Sequence, residues 1–237
     1  MENIKFEKLE DLDYRTNESY KTLRTNIQLS GGDVKIILFT SSTLNEGKSS
    51  VTFNLARAFA EDGKRVLLID ADLRKSVLVG RYKIAKAVPG LSYYLSELNE
   101  LGDVLHKTNV ENMDIILAGK VPPNPAELLG NARMKQLLAT VSKQYDYILI
   151  DSPPLGAVID SAVIAPNCDS AIIIIENNAI SYRLLQSVKE QLEKTNCRIL
   201  GAVLNKVEER RSKYGSKYYR RKYGSYYADP YEAYGEA

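Results

Sequence analysis

A doubly wound α/β fold, a mostly parallel sheet with helices on both faces, is predicted by two features of the sequence. Six short apolar runs, largely β-branched, recur along the chain: Ile36 to Thr40, Val66 to Ile69, Met113 to Leu117, Tyr147 to Ile150, Ala171 to Ile175 and Ile199 to Leu204. They are continuous rather than alternating, as strands covered on both faces are. Between them lie Ser50 to Ala60, Pro125 to Ser142 and Ser181 to Lys194, with apolar residues at intervals of three and four, so strand and helix alternate.

Another helical pattern, Asn17 to Leu29, precedes the first strand, with Tyr20, Leu23 and Ile27 on one side. From Val207 onward aliphatic side chains almost vanish, so no core can form there. The expected organisation is an N-terminal segment at 1–30, one α/β domain at 31–206 and a flexible tyrosine-rich tail at 207–237. A length of 237 residues with 44% hydrophobic content supports one sizeable core.

The charge balance, 32 basic against 30 acidic side chains, argues against nucleic acid as a partner of the whole domain. Cys168 and Cys197 sit in or beside apolar runs and read as core thiols of a reducing compartment. The N-terminus lacks the apolar segment of a signal peptide, and no run approaches the length of a membrane span, which points to the cytoplasm. His106 lies in the polar stretch Gly102 to Asn109 and reads as a surface or helix-end residue rather than a metal ligand.

The first strand runs into Phe39-Thr40-Ser41-Ser42-Thr43-Leu44-Asn45-Glu46-Gly47-Lys48-Ser49-Ser50, which opens a helix. A strand, a loop ending in Gly-Lys-Ser and a helix N-terminus form the setting of a phosphate-binding P-loop. Ser42, Asn45, Glu46, Gly47, Lys48, Ser49 and Ser50 are therefore expected around a nucleotide. Lys48 would reach the β- and γ-phosphates, and the Ser49 hydroxyl would ligate Mg²⁺. The usual first glycine is replaced by Ser42.

Two other strands end in carboxylates, Val66 to Ile69 in Asp70-Ala71-Asp72-Leu73-Arg74 and Tyr147 to Ile150 in Asp151-Ser152-Pro153-Pro154. Ligands of open parallel sheets bind beside the C-terminal strand ends, so Asp70, Asp72 and Asp151 can converge on the magnesium and phosphates held by Lys48. Asp72 and Asp151 are expected to serve Mg²⁺ with Ser49, and Asp70 to accept a hydroxyl proton. A lone aspartate after a strand more often caps the next helix; three beside a P-loop suggest chemistry.

With these motifs in this order, the chain resembles the bacterial tyrosine kinases of capsule and exopolysaccharide assembly, a lineage of P-loop ATPases with deviant Walker motifs. Ser42 to Ser50 resembles their Walker A, Val66 to Arg74 their Asp-x-Asp-x-Arg motif, and Ile148 to Pro154 their Walker B. Gly119 to Leu129 looks like their proline-rich segment, in which Asn124 would act as N-cap with Pro125 first in the helix. Thr43 stands where the related partition and septum-site ATPases carry an extra lysine.

The resemblance implies ATP and Mg²⁺ as ligands, catalysis by Lys48, Asp70, Asp72 and Asp151, and contact of Asn205 with the adenine. It implies autophosphorylation in trans of the terminal cluster Tyr214, Tyr218, Tyr219, Tyr223, Tyr226, Tyr227, Tyr231 and Tyr234. A homo-oligomeric ring is implied through Glu18, Lys21 and Arg24, spaced by threes on one helix face. Lys21 stands where the family pattern has Arg. The implied partners are a transmembrane activator, the polysaccharide co-polymerase, whose cytoplasmic segment recruits the kinase to the inner membrane face, and a cognate tyrosine phosphatase. The alternatives are a partition-type ATPase switch and a non-catalytic regulator of polysaccharide assembly.

Overall fold

The computed structural model describes residues 3–9, 11–84 and 88–207. The tyrosine cluster from Tyr214 to Tyr234 lies outside the described residues. Residues Met1–Lys206 form one compact unit.

Along the chain the elements are β1 (Asn3–Ile4), α1 (Tyr14–Leu29), β2 (Ile36–Ser41), α2 (Lys48–Glu61), β3 (Val66–Asp70), α3 (Leu78–Arg81), α4 (Leu91–Leu95) and α5 (Leu101–Val104). They continue with β4 (His106–Thr108), β5 (Met113–Ile116), α6 (Pro125–Leu129), α7 (Ala132–Val141), β6 (Tyr147–Asp151), α8 (Asp160–Ile164), β7 (Ser170–Glu176), α9 (Tyr182–Glu193) and β8 (Arg198–Asn205). The strands form one sheet in the order β1-β4-β5-β3-β6-β2-β7-β8. Every pairing is parallel except β4 with β5.

Alternate residues of the central strands feed opposite cores. Ile37, Phe39, Val66, Leu68 and Leu149 pack with Ile27 of α1 and with Val51, Leu55 and Phe59 of α2 on one face. Leu38, Leu67, Ile69, Ile148 and Ile150 pack with Met134, Leu137 and Val141 of α7 and with Val188 and Leu192 of α9 on the other. Burying one such side chain stabilises the fold by roughly 1.5–3 kcal/mol, which explains why these strands carry no polar alternation. The sheet is thus doubly wound, as predicted. β2 lies between β6 and β7, so chain crossings leave it toward both sides and open a crevice at its C-terminal end.

Several local expectations change. β1 and β4 were not anticipated; both are too short for a periodic signal. The Pro125 to Ser142 segment is two helices broken at Gly130 and Asn131, because the Asn131 side chain caps α7 by accepting from Met134 N at 3.1 Å. Asn124 occupies the N-cap position of α6, but its amide donates to Glu127 Oε2 at 2.7 Å and makes no cap. His106 is 1% exposed rather than on the surface. Its Nε2 lies 3.1 Å from the Pro89 carbonyl, and its Nδ1 is buried without a partner. Cys168 and Cys197 are free thiols, and burial raises the pKa of both, that of Cys197 to about 11. Among the described residues no helix is long and apolar enough to cross a membrane.

An aromatic cluster fixes α3 beside α2. Tyr82 stacks on Phe53 with centroids 3.7 Å apart, and Phe6 meets Phe53 edge-on at 4.9 Å. Residues at the end of α3 therefore hold a defined place relative to the start of α2.

Candidate active site

The crevice beyond β2 is shaped by its loop. Asn45 and Gly47 take left-handed φ values of 66° and 89°. A side chain at Gly47 would also run into the Asn205 amide, so both backbone conformation and space demand glycine there. The loop is stitched to the ends of β7 and β8. Glu46 accepts from Thr43 N, from Thr43 Oγ1 at 2.9 Å and from Glu176 N at 3.0 Å. Asn205 Nδ2 donates to the Glu46 carbonyl at 2.9 Å, and Lys206 Nζ donates to the Asn45 carbonyl at 2.8 Å while pairing with Glu176 at 2.9 Å.

A cavity of about 400 Å³ opens over this loop, with Asn45, Glu46, Gly47, Lys48, Ser49, Ser50, Asp72 and Asn205 on its wall. Ser42 is not on that wall, and its hydroxyl is buried without a partner. Thr43 of the loop lines the cavity too, as do Lys75, Arg81 and Lys206, although no motif singles out those three cations. Lys75 follows Asp72 by three positions, a local signal the sequence offered; Arg81 reaches the site only through the placement of α3.

The carboxylates meet because β3 and β6 are neighbours in a register that sets Asp70 opposite Asp151. Lys48 Nζ lies 2.5 Å from Asp151 Oδ1, with the two side chains 8% and 1% exposed. Asp70 is fully buried. Burial first, and the Asp151 charge second, raise its pKa to about 7, against the pull of the 2.5 Å hydrogen bond donated by Ser76 and of the Lys48 charge. Asp72 reaches the cavity wall, and its Oδ1 accepts from Lys75 N at 2.9 Å. Arg74 faces Asp160 instead, making two bonds of 2.8 and 2.9 Å to a carboxylate with no exposure.

Among the described residues no group of three or more His, Cys, Asp or Glu side chains is arranged to hold a metal by itself. The donor set fits Mg²⁺ carried in with a triphosphate: one hydroxyl, Ser49, and the Asp72 carboxylate face the cavity, and Mg²⁺ typically takes one or two protein oxygens plus phosphates and water. Asp151 lies beneath, behind Lys48.

The proposed ring residues share α1, but their contacts differ. Lys21 pairs with Glu18 at 2.7 Å on the surface. Arg24 is turned to its own α2, donating to the Ala58 carbonyl at 2.8 Å and lying 3.4 Å from Asp62.

Comparison with known proteins places this arrangement. The AAA domain family matches residues 34–202. Tyrosine-protein kinase CpsD of Streptococcus agalactiae is 41% identical over 212 residues, which is 90% of each chain. Tyrosine-protein kinase YwqD of Bacillus subtilis is 35% identical over 202 residues, covering 84% of this chain and 85% of that one. The solved kinase domain of the Escherichia coli tyrosine kinase ETK superposes with a TM-score of 0.79 at 33% identity, covering 83% of this chain and 77% of that one.

Proposed function

Since the chain belongs to the bacterial protein-tyrosine kinases of the capsule type, we propose that it phosphorylates, in trans, the tyrosines of its own C-terminal cluster and thereby regulates polysaccharide synthesis and export. The observation that carries this reading is the meeting of three elements at one crevice: the Lys48 loop, the cavity-facing pair Ser49 and Asp72, and the adjacent strand-end carboxylates Asp70 and Asp151.

ATP binds with its phosphates over the backbone amides of residues 45–49 and the N-terminus of α2, whose dipole favours negative charge. Lys48 exchanges Asp151 for the β- and γ-phosphates. Mg²⁺ bound with the triphosphate would supply charge neutralisation at the phosphate oxygens. Ser49 and Asp72 would hold the metal, directly or through water, with Asp151 behind them. A neighbour's tyrosine hydroxyl gives its proton to Asp70 as its oxygen bonds to the γ-phosphorus and the bond to the β-γ bridging oxygen breaks, releasing ADP. A base with a pKa near 7 suits proton transfer at neutral pH. Such transfer rests mainly on positioning and charge, so Lys48, with the metal it would act beside, would carry more of the barrier than the base. Asn205 borders the adenine end.

A ring held through Glu18, Lys21 and Arg24 brings each tail to a neighbouring site. The activating partner is a transmembrane polysaccharide co-polymerase whose cytoplasmic segment recruits the kinase from the cytoplasm to the membrane, and a cognate phosphatase resets the tail. The test is phosphotyrosine detection after incubation of the purified protein, with and without that segment, in Mg-ATP. Tail phosphotyrosine in the wild type and none in Lys48→Met is expected. Equal signal in both would remove the proposal.

A further inference from the structure

Two cations border the cavity without serving any step described above. Lys75 and Arg81 are both exposed, and both line the cavity. The backbone of Lys75 is fixed by the Asp72 carboxylate at 2.9 Å, while its ammonium makes no ion pair among the described residues. The next residue, Ser76, touches the proposed base Asp70, so Lys75 borders the place where an acceptor hydroxyl must arrive. Arg81 ends α3 and donates to Ser50 Oγ at 2.6 Å, one residue from Ser49. The stack of Tyr82 on Phe53 holds it there. The two cations thus bracket the acceptor's approach, one on the side of the base and one on the side of the phosphate loop.

The tail itself is divided in charge. Its first part, 208–223, carries Arg210, Arg211, Lys213, Lys217, Arg220, Arg221 and Lys222 against Glu208 and Glu209. Its last part, 224–237, carries Asp229, Glu232 and Glu236 and no basic residue. We infer that Lys75 and Arg81 form a cationic lip that selects acceptor tyrosines set among acidic residues, so that Tyr231 and Tyr234 are phosphorylated before Tyr214 and Tyr218. The inference rests on the kinase reading and specifies its substrate. Phosphotyrosines at the end of the tail add negative charge beside the next acceptors, Tyr226 and Tyr227, so modification proceeds from the C-terminus toward the basic part.

The test is site-resolved mass spectrometry of the full chain at early times in Mg-ATP. The readout is the ratio of phosphate at Tyr231 and Tyr234 to that at Tyr214 and Tyr218, which is independent of overall rate. Exposed ion pairs are individually weak, so a ratio of roughly five is expected at low salt, falling toward one as salt is raised. The double substitution Lys75→Glu with Arg81→Glu should bring the ratio below one, and Lys75→Arg with Arg81→Lys should retain the wild-type order. An unchanged ratio in the charge-reversed protein, including one where the KM for ATP rises and both rates fall together, would show that the cations serve the nucleotide or that reach alone sets the order, and would overturn the lip. Absence of phosphotyrosine from every site would overturn the kinase reading itself, a distinct outcome.

Discussion

Asp151 holds Lys48 at 2.5 Å beneath the nucleotide cavity, so the cation of the phosphate loop is already engaged by a carboxylate of the neighbouring strand. Replacing Lys48 with Met leaves Asp151 and Asp70 buried without their positive neighbour. Breaking such a pair costs about 3 kcal/mol or more, less whatever protonation of a carboxylate recovers. Thermal unfolding of Lys48→Met without nucleotide is expected several degrees below wild type. Asp151→Asn should lose less, because Lys48 can turn to solvent or to Asp70. Equal melting temperatures in all three proteins would mean that the pair contributes nothing to the fold.

The pKa of Asp70 gives the nucleotide-free protein a pH-dependent stability of definite sign. Its folded value, about 7, lies above the ordinary 3.8, so between those values the folded state holds a proton that the unfolded state has released. The contribution is fully present below pH 3.8 and is lost as pH rises to about 7, with a limiting slope of about 1.4 kcal/mol per pH unit. Urea unfolding of wild type and Asp70→Asn, compared at pH 5 and pH 8, isolates this term. The wild type should gain relative to the variant at the lower pH, and a difference that does not change with pH would contradict it.

Arg74 is expected to act on stability more than on turnover. Asp160 is fully buried and receives both of its bonds from the Arg74 guanidinium. Arg74→Ala should cost about 2–4 kcal/mol, and Arg74→Lys should restore only part of that, because a single ammonium cannot supply the two parallel donors. Denaturant midpoints measure both. A larger effect on phosphorylation by folded protein than on the midpoint would assign Arg74 to the reaction instead.

On α1, the contacts separate two effects of substituting the triad. Glu18→Ala and Lys21→Ala remove only an exposed pair and should change monomer stability by less than about 1 kcal/mol, while lowering the mass seen by light scattering if the ring forms through them. Arg24→Ala also removes the bond to the Ala58 carbonyl and should lower the melting temperature as well. Unaltered oligomer mass in the triple variant would exclude α1 as the subunit contact.

What the sequence disclosed follows from how much signal each element carries. Five of the six apolar strands were legible because burial on both faces forces unbroken runs, whereas β8, the sixth, is an edge strand with no buried residue, so its apolar run has another cause. The phosphate loop was legible because Gly-Lys-Ser after a strand and before a helix has few other uses. The three carboxylates were found through their position at strand ends, which topology makes adjacent. Asn3–Ile4 and His106–Thr108 were not legible, since two or three residues have no period. His106 was misplaced because its polar neighbours hid a strand turned inward against the Pro89 carbonyl. Arg81 could not be read at all: its place depends on Tyr82 stacking on Phe53, a contact between elements that no local pattern records.

The sheet order also dictates when the protein can first be itself. β2, whose end bears the phosphate loop, pairs with β6 and β7, so Ile36 must wait for Ile148 and Ile37 for Ser170 before either side of the strand is covered. Among the described residues, only β4 and β5 form an antiparallel pair of consecutive strands, a pairing that needs little loop closure. On the ribosome, then, a central strand buried at every position in the finished fold emerges early and stays an open edge while most of the domain is still being made. Until the Tyr147–Asp151 strand arrives, the nascent chain has no nucleotide site and carries an exposed sticky edge of the kind that chaperones shield, so slow elongation before that strand is where aggregation would begin.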